Sequence, residues 1–328
     1  MTLRKANRAV AMAAVAAFAM FGATAGSDAA DKTAIKFVGV PLAEFAPIWA
    51  AKDLGYFDEV NLDVTINPTA AASSAEAAAL LVSGEYQLAM GSVATIAQAV
   101  SQGLELVVVS GATVVGGPED ESQQVLSRKD GPASLKDLAN AGNTIAVSAI
   151  NSPTMVYTMN AIELAGGDPK APKYQAAASP TIEELIMNKS VQAGVLLNPF
   201  LSAAKANPEI QVIGSVSAAM PANTPAISVI SSKAFVGANP EVMNGVRAAI
   251  AKGVAWASAS ENREAVNDLI VKYTGRDRKV IAGAKLPQYS TTLTAANIET
   301  LLAMFAKYGA LEKAPAVDAI VDTAALSN

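Results

Sequence analysis

The sequence predicts an α/β fold of two lobes joined by a two-strand hinge. From residue 35 onward, short β-branched runs alternate with Ala-rich helical stretches, which is the pattern of βαβ units around a largely parallel sheet. The chain has 328 residues, which is too many for one comfortable hydrophobic core. A segment rich in Gly and acidic residues at positions 111–122 interrupts the alternation. We therefore expect the chain to leave the first lobe there and to return later.

The first lobe is predicted to open with a block of alternating strands and helices. Its strands are expected at residues 35–40, 62–66, 88–90 and 104–110. Its helices are expected at residues 45–54, 74–83 and 93–102, and a glycine lies just beyond the end of each. Glycine is common at that position because it adopts the left-handed conformation without a steric penalty.

A second alternating block follows the interruption, and a helical region closes the chain. The second block has predicted strands at residues 123–127, 144–148, 193–197, 210–213 and 226–231, and predicted helices at 135–141, 153–165 and 181–188. Thr181 and Glu184 have the spacing of a capping box. The closing helices are expected at 240–258, 263–273 and 294–308. These elements give residues 31–112 and 233–328 as lobe 1 and residues 113–232 as lobe 2, and two chain crossings between lobes make a hinge around a cleft.

The first thirty residues are predicted to be a cleaved signal peptide. A positively charged start is followed by an uncharged, Ala-rich run over residues 9–25, and small residues suited to signal peptidase follow, which places the cleavage site between Ala25 and Ala30. The alternative is an uncleaved membrane anchor, but a run of this length is at the short limit for crossing a bilayer. Later apolar runs are all broken by Gly, Pro or charge, so we expect no direct membrane insertion and a periplasmic location.

Two residue types are missing from the sequence. The chain has no Cys and no His, which excludes Cys/His zinc sites, Ser-His-Asp triads, Cys-His dyads and lipid attachment to a cysteine. No metal and no cofactor are expected, and the commonest routes of enzymatic proton transfer are closed. The formal net charge is −5 without a basic cluster, so nucleic acid is not an expected partner.

The start of the first predicted helix resembles a known family of receptors. The run Ala46-Pro47-Ile48-Trp49-Ala50-Ala51-Lys52-Asp53-Leu54-Gly55-Tyr56-Phe57 is similar to the first motif of the periplasmic receptors for sulfonates, taurine, nitrate and thiamine-pyrimidine precursors. Residues 61–64, 81–89, 134–138 and 197–200 resemble later motifs of that family in the same order. Two positions depart from its pattern: Asn198 and Gln87 stand where the family usually has an acid.

This resemblance implies a type II periplasmic-binding-protein clamshell that performs no chemistry. It implies that a monomer captures a small-molecule ligand, first of all a sulfonate or taurine-like organic anion, and delivers it to an inner-membrane ABC permease. An aromatic carboxylate or a pyrimidine-type ligand is the alternative, as is a ligand-sensing partner of a membrane receptor. A pyrimidine-precursor synthase of the same fold would use its own His, and this chain has none.

The candidate ligand contacts follow from a topological rule. In open α/β sheets, ligands bind beyond the carboxyl ends of the strands, where loops lead into helices. There, unpaired N–H groups and the helix dipole favour an anion, and a hydroxyl adds a donor. The polar candidates at such positions are Ser73, Ser74, Ser92, Asn151, Ser152, Thr154 and Asn198. The alternative for each Ser or Thr is that it only caps its own helix.

Scarce aromatic residues and one acid complete the predicted cleft. Phe45, Tyr157 and Phe200 all lie within a turn of the cleft and could flank an apolar or aromatic ligand body. The alternative for each ring is core packing. Glu44 could pair with a ligand ammonium group, or it could be a solvated loop carboxylate.

Overall fold

The computed structural model describes residues 32–39, 41–67, 74–198 and 200–327. The predicted signal peptide, residues 1–30, and the predicted contact Ser73 lie outside them. Within the described ranges, no helix combines the length and apolar character that a bilayer crossing requires. The strands form two separate sheets flanked by helices, so the predicted α/β class is confirmed.

The strands and helices of the described residues have the following bounds. The strands are β1 Thr33–Val38, β2 Leu62–Asn67, β3 Leu88–Gly91, β4 Leu106–Val115, β5 Gln123–Arg128, β6 Thr144–Val147, β7 Lys173–Ala176, β8 Ala193–Leu197, β9 Ile210–Ser215, β10 Thr224–Ser232 and β11 Gln288–Tyr289. The helices are α1 Ala46–Asp53, α2 Ser74–Val82, α3 Val93–Ser101, α4 Pro153–Leu164, α5 Ser179–Met187, α6 Phe200–Lys205, α7 Lys233–Ala238, α8 Pro240–Ser258, α9 Arg263–Thr274, α10 Arg278–Gly283, α11 Ala295–Lys307 and α12 Val317–Ile320.

The sheet of the first lobe has the order β11-β4-β10-β3-β1-β2. Strands β1, β2 and β3 run parallel, whereas β10 is antiparallel to both β3 and β4. All ten residues of β4 are buried, because helices and loops cover both faces of this central strand. Because β1 and β3 run parallel, their carboxyl ends lie on the same edge of the sheet, which faces the second lobe.

The sheet of the second lobe has the order β7-β6-β8-β5-β9. Here β6 is parallel to β7 and β8, and β5 is antiparallel to β8 and β9. Strand β7 has no apolar run, since it is the short and largely exposed sequence Lys-Tyr-Gln-Ala at the sheet edge. The sequence pattern consequently did not predict it.

Three predictions on the elements are wrong. The strand predicted at 226–231 does not complete the second block: it is β10, which pairs along its length with β4 in the first sheet. The helix predicted at 135–141 is only a 3-10 turn at Lys136–Leu138. The capping box does not form, because α5 begins at Ser179 and the Thr181 hydroxyl, within the first turn, donates to the Ala178 carbonyl at 2.9 Å.

Two crossing segments, 116–122 and 216–223, connect the lobes and lie against each other. The amide of Gly117 in the first segment donates to the Met220 carbonyl in the second at 3.0 Å. The Asp120 side chain is buried, and it accepts the amide hydrogens of Gly116 at 2.7 Å and Ser122 at 2.8 Å. The Gly117–Met220 bond joins the two crossings, and the Asp120 bonds fix the turn within the first crossing.

Helix α4 of the second lobe also packs on α11 of the first. The rings of Tyr157 and Phe305 meet edge to face with their centroids 6.4 Å apart. Glu163 accepts hydrogen bonds from Lys307 Nζ at 2.5 Å and from the Tyr308 hydroxyl at 2.8 Å. One flank of the interlobe cleft is therefore closed by helix packing, and the remaining space lies between this seam and the loops of the first lobe.

Candidate functional site

A cavity of about 270 Å³ lies between the two lobes. Its first-lobe wall consists of the loop after β1, strands β4 and β10, and the segment from α9 to β11. The second-lobe wall consists of the start of β5, the start of α4 and the end of β8. The loops at the strand ends thus meet where the topological rule places a ligand site.

The structure brings five of the predicted contacts to the cavity wall. These residues are Glu44, Ser92, Thr154, Tyr157 and Asn198. Four other predicted contacts in the described chain, Phe45, Asn151, Ser152 and Phe200, are not on this wall. Ser74 is the first residue of α2. Ligand contact remains a prediction for each residue on the wall.

Ser92 both caps a helix and lines the cavity. Its hydroxyl oxygen accepts the amide hydrogen of Thr95 at 3.0 Å and lies 2.7 Å from the Thr95 hydroxyl. The extended backbone of Ser92 is the usual conformation of an N-cap residue. The two alternatives weighed for this serine are compatible, because the amino end of α3 is directed at the same space that the residue lines.

The amino end of α4 carries a cluster of hydroxyl groups. Ser152 caps the helix by accepting the amide hydrogen of Met155 at 3.4 Å, and its own hydroxyl donates to the Ala149 carbonyl at 2.6 Å. The Thr154 hydroxyl lies 2.8 Å from that of Ser148, and both residues line the cavity. Ser152 thus has the structural role, and Ser148, which the sequence did not indicate, joins Thr154 at the wall.

Asn151 lies outside the cavity wall, and its backbone holds the loop before α4. Its φ of 60° is left-handed, a conformation that Asn tolerates better than most residues. The Asn151 carbonyl accepts a hydrogen bond from Gln98 Nε2 of the first lobe at 3.0 Å. The same Gln98 group also donates to the Ala310 carbonyl, so this contact links the loop before α4 to the first lobe.

The aromatic predictions separate into three different outcomes. Phe45 is fully buried in the first-lobe core, with its ring 5.2 Å from Phe37 and 5.4 Å from Trp49. Tyr157 lines the cavity, and burial raises the pKa of its hydroxyl, which is therefore neutral at physiological pH. Phe200 lies beyond the cavity wall, where the guanidinium of Arg276 is placed over its ring at 5.6 Å from the centroid.

Glu44 is a half-buried carboxylate on the first-lobe wall. Desolvation by burial raises its pKa, and a hydrogen bond from the backbone lowers it by less. No cationic side chain pairs with Glu44 within the described ranges. The neighbouring Tyr289 donates its hydroxyl to the Ala43 carbonyl at 2.9 Å, and burial together with the Glu44 charge raises the pKa of that phenol.

Two basic residues on the wall were not indicated by the sequence. Arg276 and Lys285 both follow α9, in a region whose helical pattern alone was recognised. Lys285 Nζ donates to the Glu119 carbonyl in the first crossing segment at 3.1 Å. No signal in the local sequence marks either residue, because their approach to the cleft depends on how α9 packs against α1 and α10 against α9.

Two polar atoms at the start of β5 are buried without a partner. They are Ser122 Oγ and Gln123 Oε1, both on residues that line the cavity, and neither has a hydrogen bond within the described chain. A buried polar atom of this kind costs free energy until something pairs with it. These two atoms therefore carry an uncompensated desolvation cost at the start of β5.

The remaining wall is apolar and suits an organic body. It includes Leu42, Val115, Ile227, Ile270, Ile281 and Leu286. Binding sites for small molecules combine such walls with a few placed polar groups. Over the described residues, no cluster of acidic side chains has the arrangement of a metal site.

Comparison with protein families gives one matching model. The model described as NMT1/THI5 like matches residues 43–264, which is more than half of the chain and includes all the motifs noted above. A search of the curated proteins finds no match.

Solved structures of several solute receptors share the fold. The periplasmic aliphatic sulphonate binding protein SsuA from Escherichia coli superposes with a TM-score of 0.70 at 16% identity, and the match covers 87% of this chain and 96% of that one. The alkanesulfonate-binding protein SsuA from Xanthomonas axonopodis pv. citri, bound to MOPS, gives 0.65 at 13% identity over 89% and 99%. The periplasmic nitrate-binding protein NrtA from Synechocystis PCC 6803 gives 0.68 at 12% identity over 89% and 86%. The predicted clamshell fold and the predicted resemblance are confirmed.

Proposed function

The chain belongs to the NMT1/THI5-like family, and from this premise we propose that it is a periplasmic solute-binding protein that delivers a small organic anion to an inner-membrane ABC permease. The observation that carries the proposal is the interlobe cavity. Its wall combines two basic side chains, two helix amino ends and an apolar surface.

The charge of the ligand follows from the donors on the wall. Arg276 and Lys285 supply positive charge, and the amino ends of α3 and α4 add backbone N–H groups and the positive ends of two helix dipoles. The hydroxyls of Ser92, Ser148 and Thr154 add donors at these helix ends. Such a set favours one sulfonate or carboxylate group.

The size and walls of the cavity favour a small organic body attached to that group. About 270 Å³ lies just below the usual range for drug-sized ligands, so a short aliphatic sulfonate or an amino sulfonate is the first choice. Glu44 supports a taurine-like zwitterion, because a ligand ammonium group would pair with its otherwise uncompensated carboxylate.

Tyr157 supports a second candidate class of ligand. Its phenol ring lies on the wall opposite the apolar residues of the first lobe, and a flat ring can stack or pack edge to face against it. An aromatic carboxylate or a pyrimidine-type compound would use this surface. The same receptor could also pass a ligand signal to a membrane partner instead of delivering cargo.

The chemistry of the wall supports binding without turnover. The sequence has neither His nor Cys, and burial raises the pKa of Tyr157, which makes it a weaker acid than an exposed tyrosine. The pKa of Glu44 is raised, but no hydroxyl or amine nucleophile is hydrogen-bonded to its carboxylate within the described residues. A general base without a substrate nucleophile beside it gives no reaction. We further propose that the receptor acts as a monomer.

A thermal-shift screen tests the proposed function. The wild-type protein is heated with short alkanesulfonates, taurine, benzoate and a hydroxymethylpyrimidine, and the alkanesulfonates and benzoate are each compared with their uncharged amides. A ligand at one hundred times its dissociation constant stabilises the protein by about 2.7 kcal/mol. We expect at least one organic anion to raise the melting temperature while its amide does not; no shift with any compound would contradict the proposal.

A further inference from the structure

The Arg276 guanidinium connects the two lobes across the mouth of the cavity. Arg276 follows α9 in the first lobe, and its side chain is on the cavity wall. Phe200 is the first residue of α6 in the second lobe and packs against that lobe's core. The guanidinium lies over the Phe200 ring, 5.6 Å from its centroid, which is within the range of a cation–π contact.

Among the arginines of the described ranges, Arg276 differs in that its guanidinium has no polar partner. Arg128, Arg247 and Arg278 each form an ion pair with a carboxylate. Arg263 donates to the Ala284 carbonyl at 2.8 Å. Across the described ranges, the Arg276 guanidinium has neither kind of partner, although it is only partly exposed. An aromatic face holds the plane of a guanidinium while leaving its N–H edge free for an anion.

We propose that Arg276 is the anion-binding residue of the cavity and that Phe200 is its positioning residue, supplied by the opposite lobe. This inference rests on the proposed function and adds a specific claim to it. Because the ring and the guanidinium belong to different lobes, they meet only when the lobes approach each other. An anion bound to Arg276 is consequently favoured by lobe closure, and closure is favoured by the anion.

With Arg276 as the anion-binding residue, discrimination between charged and neutral ligands depends on one side chain. A charge-assisted hydrogen bond to a bound anion contributes far more than one to an amide of the same shape. We expect R276Q to lower the affinity for an anion about 10- to 150-fold and to leave the affinity for the amide nearly unchanged. The variant R276K should have an anion affinity between those of the wild type and R276Q, since an ammonium keeps the charge but lacks the flat guanidinium that lies over the Phe200 ring.

Isothermal titration calorimetry with matched probes measures this discrimination. The probes are 1-propanesulfonate with 1-propanesulfonamide, and benzoate with benzamide. The control variant is R278Q, which changes the same residue type two positions away, where the guanidinium pairs with Glu264 and Asp268. R278Q should keep the full preference for the anion even if it lowers the melting temperature.

The positioning role of Phe200 is tested by combining two variants. F200L should weaken anion binding about two- to fivefold, the strength of an exposed cation–π contact. In the R276Q background, F200L should have no further effect, because the group that it positions has been removed.

Three outcomes are decisive. If F200L lowered anion affinity by the same factor in the wild type and in R276Q, the positioning role would be overturned. An intact preference for the anion in R276Q would overturn the inference while leaving the proposed function standing. Failure of every anion to bind the wild-type protein would overturn both.

Discussion

Gly116 lies so close to Pro221 that a Cβ atom at position 116 would stand 1.9 Å from the Pro221 carbonyl oxygen. The two residues belong to the two segments that cross between the lobes. Gly116 also has a φ of +110°, a conformation that residues with a side chain rarely adopt. The hinge therefore depends on a backbone contact that only glycine permits.

We predict that G116A destabilises the protein by about 3 to 5 kcal/mol, the combined cost of a positive φ and of an enforced backbone shift. The neighbouring G117A is the matched control. Gly117 also has a positive φ, but a Cβ there would meet only the Ala222 side chain at 3.6 Å. G117A should cost only about 1 to 2 kcal/mol. Urea unfolding followed by tryptophan fluorescence measures both, and equal losses would refute the close contact.

Replacing Gln123 should change the stability of the protein and its ligand affinity in opposite directions. Replacing it with Leu removes a buried acceptor, Oε1, that has no partner among the residues the structure describes, so Q123L should be as stable as the wild type or up to about 2 kcal/mol more stable. The same variant should bind the ligand more weakly, because that acceptor is then lost to the ligand. Denaturation and calorimetry on the same sample measure the two effects.

Gln124 provides the control for this substitution. Its Oε1 accepts a hydrogen bond from Lys205 Nζ at 3.3 Å, and its side chain is equally buried. Q124L should therefore destabilise the protein and leave the ligand affinity unchanged, since Gln124 is not on the cavity wall. If both variants lose stability, Gln123 has a structural partner and not a ligand-binding role.

Glu44 predicts a specific dependence of stability on pH. Its carboxyl pKa is raised by burial, so the folded state holds the proton more tightly than the unfolded state does. The stabilisation is complete below the ordinary pKa of about 4.5 and is lost as the pH rises through the folded-state value. We expect E44Q to match the wild type at pH 4 and to be more stable than it at pH 7.

The effect of E163Q on stability should depend on pH in the opposite direction to that of E44Q. Hydrogen bonds from Lys307 and Tyr308 lower the pKa of Glu163, so this carboxylate stabilises the folded state above its ordinary pKa and loses that effect as the pH falls. Denaturation midpoints between pH 4 and pH 8 report both variants. If the midpoints of E44Q and the wild type changed with pH in the same way, Glu44 would not be desolvated in the folded state.

The sequence predicted hydroxyl groups on both walls of the cavity better than it predicted the charges. Ser92 of the first lobe and Thr154 of the second were placed near the cleft because strand ends and helix starts are local signals, and the rule for ligand sites in α/β sheets connects them. Phe45 was misassigned, although its spacing of four residues from Trp49 places both rings on one side of the chain. That spacing could have indicated core packing.

Arg276, Lys285 and the placement of β10 depend on contacts that are distant in sequence. Strand β10 has the same β-branched, apolar composition as the strands of the second sheet, so its composition cannot reveal which sheet it joins. Arg276 reaches the cleft because α9 packs on α1, which precedes it by more than two hundred residues. Hydrophobic periodicity predicts that a helix is buried, but not which partner covers it.

The most direct test of the account is the distance between the lobes with and without ligand. The sequence contains no cysteine, so D63C and K173C, on the exposed edges of β2 and β7, would be the only two sites for spin labels. Pulsed electron paramagnetic resonance on the doubly labelled protein then gives the distribution of distances between lobes. Saturation with the organic anion that stabilises the protein most should shift this distribution and narrow it to one population. An unchanged distribution, with binding verified by calorimetry, would contradict a ligand held between the lobes.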